Sequence, residues 1–329
     1  MEHDYLLSRM QLPPPPATIH FVGIGGIGMS GLARIVAARG YQVTGSDASD
    51  SPSLAALRHE GFTVTVGHSA AGLGDPALVV TTAAAPESNP ELTAARERAI
   101  PIVKRAALLG LLCNDQVCVA VAGTHGKSTT SGMLAVALDQ AGINPSFAVG
   151  ARVNQLGANA GAGRSEVFVA EADEYDYSFL WLRPAVGIIT NIEFDHPDIF
   201  PSLSAVEDAF LQFAERIRTG GTLVISADDP GCRRLIARLQ SPIIKTTFGV
   251  HPDADWRVVE SDGAYAIRTP GGPVIPLHLQ VPGRHNLLNA AAAMAAGAAL
   301  GISPPLLRPG LQAFTGVGRR FDVRGEVNG

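Results

Sequence analysis

The sequence has few cysteines, no run of basic residues and no long apolar stretch. Cys113, Cys118 and Cys232 are odd in number and lack metal-ligand spacing, which excludes a disulfide framework or a zinc module and reads as three buried small side chains in a reducing cytoplasm. A formal charge of −5 with no Lys/Arg block offers no electrostatic footprint for nucleic acid. Small anions are still open to it, because loop N–H groups bind phosphate whatever the net charge. The N-terminal "MEHDYLLSRMQLPPPP" carries acidic residues and no apolar core of a signal peptide, and "NAAAAMAAGAALGI" is too short and too glycine-broken to span a bilayer. These absences point to a soluble, cytoplasmic protein.

What is present is a loop-rich α/β composition: 46% apolar residues, 36 glycines and 23 prolines over 329 residues. That length predicts two domains, each with its own core. After Pro13–Pro16, "TIHFVG" reads as a strand, "MSGLARIVAARG" as a helix stopped by Gly40, and "YQVTGSD" as a second strand. Strands and helices alternate to about residue 110, which predicts a mostly parallel sheet. A new unit begins at Val117 with strand, glycine loop and helix, followed by buried-type strands "EVFVA", "AVGIIT" and "TLVIS". From Trp256 to Val281, β-rich segments broken by "DG" and "PGG" predict hairpins appended to that sheet. Leu111–Gln116 reads as the linker between the two, and no internal repeat is found.

Two glycine loops stand almost a hundred residues apart. Gly23-Ile24-Gly25-Gly26-Ile27-Gly28 matches G-x-G-x-x-G between a strand and a helix, a context in which backbone can approach a diphosphate. Asp47, nineteen positions after Gly28, sits where an acid can accept from a ribose hydroxyl; taken alone, this half reads as NAD binding. The second loop, Gly123-Thr124-His125-Gly126-Lys127-Ser128-Thr129, lacks the first glycine of the Walker pattern, with Val121 in its place. It keeps the parts that do the chemistry: Lys127 for β/γ-phosphates, Ser128 for Mg²⁺, and a helix N-terminus.

Acids follow at strand ends. "VFVAEADEYD" supplies Glu171, Asp173, Glu174 and Asp176, and "TNIEFDH" supplies Asn191, Glu193, Asp195 and His196. At the carboxyl ends of parallel strands they should face the second loop, although helix capping or simple solvation serves Asp173, Asp176 and Glu193 equally well. His285, Asn286 and Asn289 in "GRHNLLNAAAA" open a helix where amides can meet a base edge or merely cap it. Arg319 and Arg320 offer a phosphate clamp, while His3, His20, His59, His251 and His278 read as structural or exposed.

"HFVGIGGIGMSGLA", "VTGSD", "AGTHGKSTT", "EADEYD", "TNIEFDH", "GRHNLLNAAAA" and "GVGRRF", in this order over nearly the whole chain, resemble the Mur ligases, most of all the branch that adds L-alanine to UDP-N-acetylmuramate. The resemblance implies an α/β fold: a flexible tail at 1–16, a Rossmann-like UDP-sugar domain at 17–112, a P-loop-type ATPase domain with hairpins at 113–325, and the start of a linker at 326–329. It also implies a third, Rossmann-like domain of about 100–150 residues, which these 329 residues are expected to lack. It implies that the first loop serves a UDP-sugar, not NAD, with Gly25, Gly26, Ile27 and Gly28 at the diphosphate and Asp47 and His68 toward uridine. ATP would lie on residues 123–129 with His285, Asn286 and Asn289 near adenine and Arg320 at the phosphates. Lys127, Glu174 and His196 would be catalytic, and Ser128, Glu174 and His196 would hold one or two Mg²⁺. The implied reaction is phosphorylation of the lactyl carboxylate, attack by the L-alanine amine, and loss of phosphate, for peptidoglycan precursor synthesis. The 329 residues are expected to bind both nucleotides with little ligase activity, the L-alanine pocket lying mostly on the absent domain. "NIEFDHPDIF" also resembles the recycling relative that uses a murein tripeptide. Three readings compete: a nicotinamide dehydrogenase, a non-catalytic UDP-sugar and ATP module, and a P-loop switch.

Overall fold

The computed structural model describes residues 10–261 and 263–318. Its chain divides into two compact units, one running to Leu112 and taking in Asn159–Ala162, the other formed by Cys113–Ala158 and the residues from Gly163 onward.

The first unit is a regular β/α alternation: β1 (Thr18–Val22), α1 (Ile27–Ala38), β2 (Gln42–Asp47), α2 (Pro52–His59), β3 (Thr63–Val66), β4 (Leu78–Thr81), α3 (Pro90–Glu97), β5 (Ile102–Lys104) and α4 (Arg105–Asn114). The five strands lie in the order β3-β2-β1-β4-β5, and every pairing is parallel. Ile19, Phe21 and Val22 on β1 are fully buried, as a central strand covered on both faces requires. Helix starts follow local chemistry: Ser51 caps α2 ahead of Pro52, and Asn89 caps α3 through the N–H groups of Glu91 and Leu92. The strand order reverses between β1 and β4, so the carboxyl end of β1 opens on the crevice where open α/β sheets take ligands.

The second unit is built on a ten-stranded sheet in the order β15-β14-β13-β12-β11-β10-β6-β9-β7-β8. Its strands are β6 (Val117–Ala122), β7 (Ser146–Val153), β8 (Ala158–Gly161), β9 (Val167–Glu171), β10 (Val186–Ile189), β11 (Thr222–Ser226), β12 (Ile244–Gly249), β13 (Trp256–Ser261), β14 (Ala264–Arg268) and β15 (Val274–Pro276). Between them run α5 (Lys127–Gln140), α6 (Leu203–Glu215), α7 (Pro230–Arg238), α8 (Arg284–Ala299) and α9 (Pro304–Ala313). The pairings of β6 with β9 and β10 are parallel, and the predicted appended hairpins are the antiparallel β13-β14-β15. Periodicity did not reveal β7, β8 or β12, whose apolar residues are diluted by glycine, asparagine or threonine.

Small residues on α8 let helices close on the sheet. Ala290, Ala291, Ala292 and Ala296 are fully buried together with Met294, in one cluster with Leu134 and Leu138 of α5. Gly310 of α9 sits against the Ala137 backbone with no room for a side chain. Phe179 stacks on Phe213 with ring centroids 5.2 Å apart and meets Phe210 edge-on at 5.3 Å, fixing α6 beneath the loop after β9. Truncating such a phenylalanine to alanine costs about 3–5 kcal/mol.

One expectation is corrected. All three cysteines are buried, but Cys113 and Cys118 form a disulfide, leaving Cys232 as the free thiol. The short turn from α4 into β6 brings their Cα atoms to 5.2 Å, a separation that five residues of sequence do not disclose. Among the described residues, no helix is long and apolar enough to cross a membrane.

Candidate nucleotide and catalytic sites

In the first unit the glycine loop is pinned to β2. Gly23 and Ile24 donate to Ser46 O at 2.8 and 3.0 Å, and Gly25 N–H donates to Asp47 Oδ2 at 2.8 Å. Any side chain at Gly25 would meet that same carboxylate. Gly26 is the N-cap of α1 and provides no side-chain cap, so the first-turn N–H groups behind Ile27 and Gly28 are left for an anion. Gly25, Gly26, Ile27, Gly28 and Asp47 are thus gathered at one strand end. Asp47 accepts from Gly25 N–H through Oδ2 and from Ser49 N–H through Oδ1 at 3.4 Å, and its carboxylate keeps acceptor capacity for a ribose hydroxyl.

Arg105 was not anticipated from sequence. Its Cδ lies 3.1 Å from where a Gly28 Cβ would stand, and its guanidinium meets no carboxylate among the described residues. A free guanidinium beside a helix N-terminus suits a diphosphate. Nothing in "VKRAALLG" marks this arginine; only the return of β5 beside the loop does. His68 lies just past β3, its Nδ1 turned inward to Ser46 and Glu91.

In the second unit β6 ends in a loop held by the segment after β10. His125 N–H donates to Asn191 Oδ1 at 2.9 Å, Thr124 N–H to Asn191 O at 3.1 Å, and Thr190 Oγ1 to His125 O at 2.5 Å. Glu193 N–H donates to Thr124 Oγ1 at 2.9 Å. Gly123 and Gly126 take φ of +136° and +84°, values that L side chains rarely adopt, and Gly126 caps α5 without a side chain. Lys127 Nζ donates to Gly123 O at 2.7 Å and to both Glu174 oxygens at 2.8 and 3.0 Å.

Glu174 is 2% exposed. Its burial pushes the carboxyl above its ordinary value, and the neighbouring Lys127 ammonium only partly reverses that. His196 Nε2 stands 3.7 Å from Glu174 Oε1, and ligand atoms from Asp173, Glu174 and His196 all lie within 4.8 Å of one another. His196, Asp176 and Tyr177 have φ of +53°, +51° and +53°, and Tyr175 meets the His196 ring edge-on at 5.2 Å. Non-glycine residues in this region cost about 1–3 kcal/mol each and concentrate where geometry is held for function.

Asp173 Oδ1 accepts from Tyr175 N–H at 3.2 Å, a local capping contact, and its carboxylate lies within the same trio. Ser128, expected beside Glu174, instead donates to Glu171 Oε1 at 3.0 Å, and Glu171 Oε2 accepts from Gly150 N–H at 2.6 Å.

A cavity of about 240 Å³ adjoins the loop, lined by His125, Gly126, Thr129, Asn191, His285 and Asn289 among others. Asn289 Oδ1 lies 2.8 Å from where a Gly126 Cβ would stand. The Asn286 amide is committed to Pro282 O at 2.7 Å and its Oδ1 accepts from Asn289 at 3.3 Å, which makes Asn286 a support for Asn289. Arg320, with Arg319, lies outside the described residues.

The glycine loops fall inside two family matches: "Mur ligase family, catalytic domain" over residues 18–116 and "Mur ligase middle domain" over residues 121–297. The chain belongs to the Mur ligase family. A relative within it, UDP-N-acetylmuramate–L-alanine ligase of Clavibacter michiganensis, is 45% identical over 97% of this chain and 67% of its own length. The crystal structure of UDP-N-acetylmuramate-alanine ligase from Thermotoga maritima superposes with a TM-score of 0.81 at 32% identity, covering 95% of this chain and 72% of that one. That of UDP-N-acetylmuramate:L-alanyl-gamma-D-glutamyl-meso-diaminopimelate ligase from Neisseria meningitides does so with 0.84 at 29% identity, covering 92% and 99%. The 329 residues therefore span about two-thirds of the length of the alanine ligase relative.

Proposed function

We propose that the chain binds UDP-N-acetylmuramate on the first glycine loop and ATP with Mg²⁺ on the second, as the nucleotide-binding part of a ligase that joins L-alanine to the lactyl carboxylate in peptidoglycan precursor synthesis. The carrying observation is the second site: Lys127 and Ser128 at a helix N-terminus, facing a buried Glu174 with Asp173 and His196, beside a cavity sized for part of a nucleotide. The first loop supports the other ligand, since Arg105 and the uncapped start of α1 together suit a diphosphate.

A divalent ion fits the acid cluster. Glu174 and Asp173 provide oxygen donors of the kind Mg²⁺ prefers, His196 adds a less usual nitrogen 3.7 Å from Glu174, and Lys127 offsets the buried carboxylate in part. Bound there, the ion would neutralise phosphate charge during transfer. The protein's own groups do the rest. Loop carbonyls of Gly123 and Thr124 orient the Lys127 ammonium toward phosphates bound at the first turn of α5, and Asn289 and His285 face the same cavity from α8. A carboxylate is a poor electrophile until one oxygen becomes a leaving group, so phosphorylation precedes attack by the amine and phosphate departs from the tetrahedral adduct. A cytoplasmic setting follows from the substrates.

Ligation of a murein tripeptide is the second reading, since that fold matches with a TM-score of 0.84. The 45% identity to an alanine ligase against 29% to the tripeptide ligase favours alanine.

Because the residues span two-thirds of the relative's length, the test reads binding. Calorimetric titration with UDP-N-acetylmuramate, ATP–Mg²⁺ and NADH should give binding of the first two, with Gly26→Arg abolishing only the UDP-sugar and Lys127→Met only ATP. NADH binding without UDP-sugar binding would return the first loop to a dinucleotide enzyme.

A further inference from the structure

His196 is pinned through its backbone, and its ring nitrogens take no part in that. Its N–H donates to Asp195 Oδ1 at 2.8 Å, and its carbonyl accepts from the N–H groups of Ile199 and Phe200, both at 2.9 Å. Among the described residues the imidazole makes no hydrogen bond, since Nε2 stands 3.7 Å from Glu174 Oε1 and 3.8 Å from Asp195 Oδ2. A histidine that ligates a metal usually has its second nitrogen fixed by a carboxylate or a backbone carbonyl. Here something else must set the direction of the ring.

That neighbour is Tyr175, whose ring meets the imidazole edge-on at 5.2 Å with the two planes 76° apart, a favoured arrangement for aromatic pairs. Tyr175 is itself tethered at both ends. Its N–H donates to Asp173 Oδ1 at 3.2 Å, and its hydroxyl donates to Asp198 Oδ2 at 3.1 Å. The phenol ring thus joins the loop after β9, which carries Asp173 and Glu174, to the loop after β10, which carries His196 and Asp198. Tyr177 against the buried Phe200, at 5.2 Å, links the same two loops a second time. Tyr175 is 42% exposed and Asp198 is exposed, so neither side chain is there to fill a core.

We propose that Tyr175 and Asp198 are positioning residues: anchored on Asp198 through its hydroxyl, the Tyr175 ring holds the His196 imidazole toward Glu174, so that two loops present one ligand set to a divalent cation. The inference rests on the reading that Asp173, Glu174 and His196 hold such an ion. Without the phenol, the imidazole can turn to other staggered rotamers, which carry Nε2 away from Glu174. Without Asp198, the phenol loses its anchor and the imidazole is held less firmly. A tyrosine that merely joined the loops would leave the nitrogen ligand in place.

The test uses the whole chain and Mn²⁺, a spin probe that shares the carboxylate preference of Mg²⁺. Pulsed electron paramagnetic resonance on protein labelled with nitrogen-15 histidine should show a manganese–nitrogen coupling that His196→Ala removes. With thermal melts reporting the fold, the coupling should vanish in Tyr175→Ala and weaken in Asp198→Ala. It should return in Asp198→Asn, whose amide oxygen still accepts from the phenol. Mn²⁺ affinity of Tyr175→Ala should fall by about 10- to 100-fold, the usual effect of losing a group that orients a metal ligand. Undiminished coupling in either folded alanine variant would overturn this proposal and leave the cation reading intact. Absence of Mn²⁺ binding, or of any His196 coupling, in the parent protein would overturn both.

Discussion

Replacing Gly123 by alanine tests the second loop at its tightest point. The residue takes φ of +136°, and an added Cβ would fall on the Thr190 hydroxyl and 3.0 Å from the Thr190 backbone nitrogen. Holding alanine in that conformation costs about 1–3 kcal/mol. Clearing the methyl turns away the Thr190 hydroxyl, which donates to His125 O at 2.5 Å and lies 3.3 Å from Ala122 O, a loss of about 0.5–1.5 kcal/mol. The two terms together reach about 1.5–4.5 kcal/mol. The chain can express that cost as reduced global stability, or the loop can move and leave only a minor fraction competent for ATP. In the second case the affinity falls by about 13- to 2,000-fold. Urea unfolding and ATP–Mg²⁺ calorimetry on the same variant capture both routes. A Gly123→Ala, Thr190→Ala double variant should cost about 1 kcal/mol less than the two singles summed, because the hydroxyl clash is then counted once. The reasoning fails if Gly123→Ala unfolds within about 0.5 kcal/mol of the parent and binds ATP within about twofold.

Two further outcomes are expected. Arg105→Ala should weaken UDP-N-acetylmuramate by about tenfold or more, the worth of one charge-assisted hydrogen bond, while ATP affinity and melting temperature hold; equal loss for both ligands would point to a folding defect instead. Glu91 has a folded pKa depressed from 4.5, so its stabilisation is complete above that value and is lost as pH falls through the folded value. The stability gap between the parent and Glu91→Gln, measured by urea unfolding from pH 7 to pH 3, should therefore be constant at neutral pH and shrink below about 4.5; a gap that widens in acid would show that Glu91 is not held as a carboxylate.

Contiguous chemistry was readable before any coordinates. "AGTHGKSTT" reads as a phosphate-binding loop because strand, loop, lysine and helix start must follow one another within a few residues to cradle phosphate, and "GIGGIG" reads as a diphosphate-binding turn for the same reason. Strand and helix alternation likewise announced the parallel sheets, since a right-handed crossover needs a helix between paired strands.

Partnerships between distant residues were decided only by the fold. Ser128 takes Glu171, and not Glu174, because β9 lies beside β6 in the sheet and sets Glu171 against the start of α5. Arg105 reaches Gly28 across 77 positions, His68 finds Ser46 and Glu91 from three separate elements, and Cys113 meets Cys118 through the angle of one turn. Local pattern carries the free energy of local hydrogen bonds and backbone conformation, so it is written in the chain order. The hydrogen-bond partners of His68 and the charge balance around Glu174 depend instead on which groups a sheet brings within about 3 Å and how far it removes them from water, and those are properties of the folded chain alone.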